Sequence, residues 1–329
     1  MKENDIRPKH LWDRYLELTE RDSLNFFKED SREHFDCPVC SLPGNSEIEK
    51  YGFNYDLCEI CFTLYVSPRP SEASFQRYYT SSASSEFWSS TFYKETAEAR
   101  REKLWRPKAS LIDLKLKGIL GKSYSDYLIV DIGGGYGLFA EEMEKLTENF
   151  PLVIEPGPGL AQSCRERHIP VIEKFLEDVR PDDLPSKPKV FVSFELFEHL
   201  HNPNKFLKSL YKVMKKNDFF IFTTLSGSGL DIKALWRDSN SIQPPMHLNF
   251  FNPISIKKIL ENTGLEVLEV TTPGKLDIDI LSNNTQNLRD PFWKLLIENS
   301  NIQQKKDLQK IFSDIGLSSH MMTISKRKD

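Results

Sequence analysis

The chain is poor in several things that would narrow its class at once. Cysteine is scarce, five among 329 residues, so no disulfide-dense secreted scaffold is indicated. Nowhere do about 18 apolar residues run together, and no membrane-spanning helix or membrane insertion is predicted. The N-terminal stretch is polar and charged and lacks the apolar run of a secretory leader, so the expected setting is intracellular and cytoplasmic. The net charge is only −4, which offers no basic footprint for nucleic acid. No repeat is visible, and the one biased tract is the short serine cluster at 81–90.

What cysteine there is falls into a pattern. Cys37-Pro-Val-Cys40 and Cys58-Glu-Ile-Cys61 are two C-x-x-C pairs, with 17 residues between Cys40 and Cys58. Two such pairs at this separation match a four-thiolate zinc site and argue against the alternative, a redox pair. The two-residue gap lets each pair close a tight knuckle and aim both sulfurs at one tetrahedral ion. Four thiolates leave no open position, so a structural Zn2+ held by Cys37, Cys40, Cys58 and Cys61 is expected. Tyr51–Tyr55 reads as a strand of a zinc ribbon, and the acids Glu47, Glu49, Asp56 and Glu59 disfavour a nucleic-acid role for it. Cys164 reads as a small helix residue.

The strongest signal is Tyr127–Leu138, YLIVDIGGGYGL. Leu128-Ile129-Val130 suits a buried strand, Asp131 ends it, and Gly133, Gly134, Gly135 and Gly137 precede a run at helical spacing. Strand, glycine turn and helix let a nucleotide-like ligand rest on bare backbone at a helix N-terminus. The dinucleotide fingerprint G-x-G-x-x-G is not met, because its third glycine falls at Leu138. Glu155 ends the next strand, 20 residues after Gly135. That spacing suits a carboxylate that accepts from both hydroxyls of a ribose.

Asp131-x-Gly133-x-Gly135-x-Gly137 resembles the first motif of class I S-adenosylmethionine (SAM) dependent methyltransferases. The resemblance implies a Rossmann-like α/β fold: a seven-stranded class I methyltransferase sheet whose last strand, 319–326, runs antiparallel between the fifth and sixth. To this the reading adds a small N-terminal zinc ribbon and helical additions. The expected organisation is an N-terminal helical segment (1–35), the ribbon (36–70), an aromatic and helical linker that includes a candidate lid (71–122), and the SAM domain (123–329) with a helical insertion at about 275–316. Asp131, Gly133, Gly135, Gly137 and Glu155 are expected to bind SAM. Phe175 and Leu176, with Glu177, fall on the loop that cups adenine in this class, and Glu195 is expected near the methionine part of SAM. Tyr78 and Tyr79 lead the candidate flap, and the helical run 94–120 is expected to break near Pro107.

Glu198-His199-Leu200-x-Asn202-Pro203, which follows Glu195 at a strand end, and the block Met246-His247-Leu-Asn249-Phe250-Phe251-Asn-Pro253 also resemble that class. The second is similar to a His-x-Asn-Phe segment of methyltransferases in sugar and small-molecule pathways. A histidine there can take a proton from an acceptor. His247 and His199 are therefore the candidate catalytic residues. Zinc-bearing sugar C-methyltransferases carry a Glu-His pair at this place, and Met246 stands here instead of the Glu. No second metal set is visible in the sequence, which disfavours a magnesium-dependent catechol-type reaction.

Cysteine pairs, aromatic linker, SAM motif and histidine block in this order are similar to bacterial sugar C-/O-methyltransferases. The implied acceptor is a small molecule, a nucleotide- or glycan-linked sugar of surface polysaccharide or secondary metabolism. Two other readings stay open: an RNA or protein methyltransferase that uses the ribbon for its substrate, and a non-catalytic SAM-fold partner subunit. Oligomeric state is open.

Overall fold

The computed structural model describes residues 2–147 and 150–328. Among them, two principal sheets organise the chain, one of seven strands and one of four. The large sheet runs in the order Leu265–Thr271, His320–Arg327, Phe219–Leu225, Lys189–Phe194, Leu128–Ile132, Leu152–Ile154, Val171–Ile172. The last five are parallel to one another, while His320–Arg327 runs antiparallel between Phe219–Leu225 and Leu265–Thr271. This is the expected class I arrangement.

The reason is legible strand by strand. Every residue of Lys189–Phe194 is buried, as is Phe219–Leu225 up to its last position, because helices cover both faces of a parallel sheet. One core layer gathers Val130, Phe191, Phe220 and Phe222, and the opposite layer gathers Ile129, Val190, Val192 and Ile221. Odd and even positions thus serve opposite faces, and a slip of one residue would exchange the two layers.

The small sheet is the cysteine module. Asn45–Lys50, Phe53–Leu57 and Leu64–Val66 pair antiparallel in succession. The residues Tyr51–Tyr55 are not all strand: Tyr51 (φ 49°) and Gly52 (φ 77°) form the hairpin turn, as the primed turns of tight hairpins require. The fourth strand comes from far along the chain. Asn249–Phe250 pairs antiparallel with Leu64–Val66, placing Asn249 opposite Tyr65. The module thus reaches beyond 36–70 and takes part of the histidine block into its own sheet. Cys37, Val39, Cys58 and Cys61 lie in one core cluster with Phe251, Ile256, Ile259 and Leu260, so ribbon and large domain share an interior.

The N-terminal segment forms one long helix, Lys9–Phe26. Its Leu11, Trp12 and Tyr15 pack with Phe92, Trp88 and Met246. The linker is nearly all helical from Glu72 to Leu120. No break occurs at Pro107. A π turn, Arg101–Trp105, runs into the helix Arg106–Leu120, and the Arg106 N–H bonds to the Arg101 carbonyl five residues back. Pro107 falls in the first turn of the new register, where its missing N–H costs little. After the fifth strand, Leu230–Leu235 is helical. The helices Asp277–Asn283, Pro291–Asn299 and Ile302–Asp314 pack against it ahead of the closing strand.

Candidate functional site

The ligand-binding edge starts at the end of Leu128–Ile132. Gly133, Gly135 and Gly137 adopt φ of 69°, 55° and 76°, conformations that glycine takes at no steric cost. Gly137 caps the helix Leu138–Glu144. A Cβ at Gly134 would come within 2.9 Å of both the Asp131 carboxylate and Val153, whereas one at Gly135 would meet nothing within 4 Å and would project into open space. Glu155 spans the loop. Its two oxygens accept from the N–H groups of Gly135 (3.0 Å) and Gly157 (2.9 Å).

Asp131 is buried, and its Oδ2 has no partner among the described residues. Burial, then the nearby Glu155 charge, pushes its carboxyl up to about 7, against the pull of Lys108. Burial likewise raises Glu155, opposed by the N–H groups of Gly157 and Gly135. Tyr136, inside the glycine loop, stacks on Tyr93 of the linker at 4.3 Å and donates to the Ser89 carbonyl. The linker therefore roofs the loop, and beside it lies a cavity of about 350 Å³ lined by Ser89, Ser90, Tyr136, Gly157, Gly159 and Leu160.

The adenine-loop candidates separate. Leu176 is buried in the main core, so its side chain serves the fold, and Phe175 is left exposed. Glu195 sits in the left-handed region (φ 53°) at the tip of Lys189–Phe194. Lys108 Nζ reaches its Oε1 at 3.0 Å, Thr223 Oγ1 donates at 2.6 Å and His320 Nδ1 lies at 3.5 Å. Burial works to raise its carboxyl, but Lys108 and then His320 hold it well below the usual carboxylate range. Lys108 acts electrostatically on Asp131, Glu195 and Glu198, so one amine from the linker helix serves the whole edge.

His199 and His247 are brought together, their ring centroids 4.8 Å apart and the planes tilted by 56°. His199 Nδ1 bonds to the Met246 carbonyl (2.9 Å), and His247 Nδ1 to the Ser241 carbonyl (2.6 Å). A carbonyl oxygen only accepts, so each Nδ1 carries a proton and the lone pair of each neutral ring lies on Nε2. Burial lowers both imidazoles, His247 to about 3 with help from His199. Beside them is Glu198, which the sequence reading passed over within its own motif. It is 1% exposed and accepts from Thr224 Oγ1 at 2.8 Å. Burial, then Glu195, pushes it up to about 8. One ligand atom from each of Glu198, His199 and His247 lies within 4.8 Å of the others.

The cysteine module sets the back wall. Tyr55 Oη donates to the His247 carbonyl (2.8 Å), and the Val66 N–H to the Leu248 carbonyl (2.9 Å). Arg69, 1% exposed, places its guanidinium on the Val66, His201 and Leu248 carbonyls and on Asn249 Oδ1. It therefore ties the ribbon to both histidine segments. Tyr55 and Arg69 carry no signal in the sequence, because their partners lie up to 192 residues away.

The flap divides at adjacent residues. Tyr78 is fully buried, packed with Phe27 and bonded to Ser84, so it belongs to the fold and not to a lid. Tyr79 is 42% exposed as a residue, but its hydroxyl end is buried: burial, then Tyr78 and the Glu198 charge, raise its phenol, which sets that end towards the cleft.

The four cysteines converge as expected. One sulfur from each lies within 4.8 Å of the rest, and all are free thiols. The two knuckles are alike: Ser41 N–H bonds to the Cys37 carbonyl and Phe62 N–H to the Cys58 carbonyl, with Ser41 and Phe62 both left-handed (φ 54° and 57°). This donor set fits a tetrahedral zinc ion, which would cross-link the two knuckles.

The family model described as Methyltransferase domain matches residues 99–270, just over half of the chain. The chain belongs to that family. Among solved structures, a SAM-dependent methyltransferase from Thermotoga maritima aligns at 17% identity and TM-score 0.44, over 72% of this chain and 98% of that one. The plantazolicin methyltransferase BamL, solved with a triazolic substrate analogue and SAH, aligns at 13% identity and TM-score 0.48, over 77% and 94%. A SAM-dependent methyltransferase from Archaeoglobus fulgidus aligns at 17% identity and TM-score 0.40, over 69% and 97%. No curated protein matches. The glycine loop of the methyltransferase domain offers groups that fit SAM. Asp131 offers an orphaned buried oxygen, Gly135 faces open space, and Glu155 closes the far side. No helix among the described residues is long and apolar enough to cross a membrane.

Proposed function

We propose that this methyltransferase transfers the methyl group of SAM to a small-molecule acceptor, a nucleotide- or glycan-linked sugar. The observation that carries the reading is the pair His199 and His247, whose open Nε2 lone pairs stand beside Glu195 at the carboxyl edge of the sheet. SAM bound at Asp131, the glycine loop and Glu155 supplies an electrophilic methyl on a sulfonium. The chain's own part is to align the acceptor and manage its proton. Glu155 holds the ribose, and Glu195 and Asp131 give the edge the negative character that suits the cofactor's amine and sulfonium. His199 and His247 engage the acceptor group that loses a proton as it takes the methyl.

Enclosure supports a small acceptor. The helix Lys9–Phe26 contributes Tyr15, whose hydroxyl meets Met246 Sδ, and Tyr79 stands at the same cleft. The exposed Asn45–Lys50 edge of the ribbon carries Glu47 and Glu49, which disfavours it as an arm for RNA. The sugar class itself rests on the resemblance of the histidine block and cysteine module.

The test is transfer of labelled methyl to a panel of nucleotide sugars and to bulk tRNA, with SAM binding followed by calorimetry. The reading expects SAM binding, transfer to a member of the sugar panel and none to tRNA. A glycine loop that binds no SAM would make the chain a non-catalytic partner. His247→Ala with undiminished turnover on the right acceptor would remove the role given to the imidazole pair.

A further inference from the structure

We infer that Glu198, His199 and His247 form a second metal site, a two-histidine, one-carboxylate set that binds a zinc-class divalent cation in the acceptor pocket. It is separate from the four-cysteine centre, and it differs from it in donor chemistry and in having coordination positions to spare.

The first argument is reach. Three ligand atoms no more than 4.8 Å apart have a common centre at most about 2.8 Å from each, against ~2.0–2.2 Å for zinc bonds to imidazole nitrogen or carboxylate oxygen. An inward shift of about 0.6 Å per ligand closes the difference. A rotation of the Glu198 side chain supplies part of that shift without moving the backbone.

The second argument is how the ligands are held. A metal-bound histidine ordinarily donates its other ring N–H to a carbonyl or carboxylate, which fixes the tautomer and the ring plane. Both imidazoles are already in that state, His199 on the Met246 carbonyl and His247 on the Ser241 carbonyl. The carboxylate is held as well, by the Thr224 hydroxyl. The partner carbonyls lie in the segment 241–246, whose Met246 is packed under Tyr15, so the outer layer is buried structure and not loose loop.

The third argument is charge. Glu198 is 1% exposed, and no ion pair to it exists among the described residues. The Lys108 ammonium, which acts on Glu198, is bonded to Glu195. A carboxyl buried this far is costly to ionise without a cation, and a bound divalent ion offsets that cost. Two nitrogens and one oxygen suit zinc and its neighbours, and three protein ligands leave one or more positions open.

The ion deepens the role of the histidine pair, and this clause alone rests on the function proposed above. An acceptor hydroxyl that fills the open position forms a metal–oxygen bond, and its proton passes to water, because coordination lowers the pKa of a bound O–H. The substrate class narrows accordingly to acceptors whose methylated position is, or adjoins, an oxygen.

Zinc alone is the probe. The full chain is stripped of loosely held metal by dialysis, titrated with Zn2+, and its metal counted by mass spectrometry after gel filtration. Two ions per chain are expected in the wild type and one in Glu198→Gln and in His199→Gln. Both variants should keep wild-type SAM affinity, which reports that they fold. Cobalt gives an independent reading: the second equivalent should add visible ligand-field absorption without further thiolate charge transfer. A wild type that saturates at one ion per chain overturns the proposal, whatever the variants do, and so does a second equivalent that persists when Glu198 and His199 are both replaced. Loss of methyl transfer to every sugar, with two ions still counted, would count against the proposed function and not against the site.

Discussion

The Tyr55 hydroxyl, anchored in the cysteine module, donates to the backbone carbonyl of His247 at 2.8 Å. One phenol thus joins the structural end of the chain to the segment that presents the candidate catalytic imidazole. Tyr55 is fully buried, so the bond is shielded from water. Tyr55→Phe should lower stability by about 1–2 kcal/mol, the cost of a buried carbonyl left without its donor. Methyl transfer should fall by more than that loss accounts for, while SAM affinity is unchanged. A variant with wild-type turnover would show that the segment is positioned without the ribbon.

Removing the ion from the four cysteines carries the same logic further. Prolonged chelation, or Cys58→Ser, frees the two knuckles, and the shared core around Phe251 and Ile256 loses one wall. The thermal midpoint should drop and near-ultraviolet circular dichroism should weaken, with transfer lost before SAM binding is. Full transfer in protein shown to lack this metal would end the structural role assigned to it.

If Asp131 faces the bound cofactor as proposed, SAM binding should depend on pH. Its carboxyl is pushed up to about 7 by burial and by Glu155. A ligand that donates to Asp131, or sets positive charge near it, favours the ionised form, so binding should release a proton and affinity should rise from about pH 6 to about pH 8. Calorimetry in buffers of different ionisation enthalpy measures the proton count directly. Asp131→Asn should flatten the profile and weaken SAM binding. An affinity independent of pH in the wild type would contradict the assignment.

Gly135→Ala separates folding from binding. The new methyl meets nothing within 4 Å in the free protein, and the cost at φ 55° is about 1 kcal/mol. The variant should fold with a slightly lower midpoint and lose SAM affinity by an order of magnitude or more. Undisturbed SAM binding would move the cofactor off this loop.

A buried acid away from the cleft governs stability. Neither oxygen of Asp231 has a hydrogen-bond partner at good geometry among the described residues, and burial with the Asp277 charge pushes it up to about 7. Asp277 is itself well satisfied, by Ser318, Ser319 and Gln309. The folded pKa of Asp231 lies above the unfolded value of roughly 3.9. Its proton therefore supports the fold fully below that value, and the support is lost as pH rises towards about 7. The urea midpoint should fall between about pH 5 and pH 7, by an amount on the order of a few kcal/mol in stability, and Asp231→Asn should reduce that slope, with Asp131 and Glu198, raised in the same sense, carrying the remainder. A slope unchanged in the variant would refute the assignment.

The large sheet was legible because its signals are local. Runs such as Val190–Phe194 and Phe219–Thr224 are buried on both faces, and the glycine loop and Glu155 lie within one βαβ unit. What escaped the sequence is pairing at long range. Nothing near Asn249 announces that it will lie against Tyr65, or that Arg69 will hold its side chain. Glu198 was hidden differently. It stood in full view beside His199, but only the fold brings His247 and Thr224 to it. Tyr78 and Tyr79 were inseparable by type, and helix geometry sends one inward and the other to the cleft. Pro107 misled because the rule that proline breaks a helix presumes an unbroken α register, and a π turn resets it here.

The pairing of Asn249–Phe250 with Leu64–Val66 bears on how such a chain can diverge. Asn249–Phe250 is an edge strand of the small sheet, and its partner strand lies inside it. A recombinant that exchanged the first 70 residues for another ribbon would have to reproduce the Leu64–Val66 edge, the reach of Tyr55 and the Arg69 cage together. Otherwise Phe250 would lose its neighbours and an apolar strand edge would lie open to self-association. Ribbon and histidine block are thus one inheritable unit split across the chain. Transplanting the histidine block in its present geometry would require moving both pieces at once.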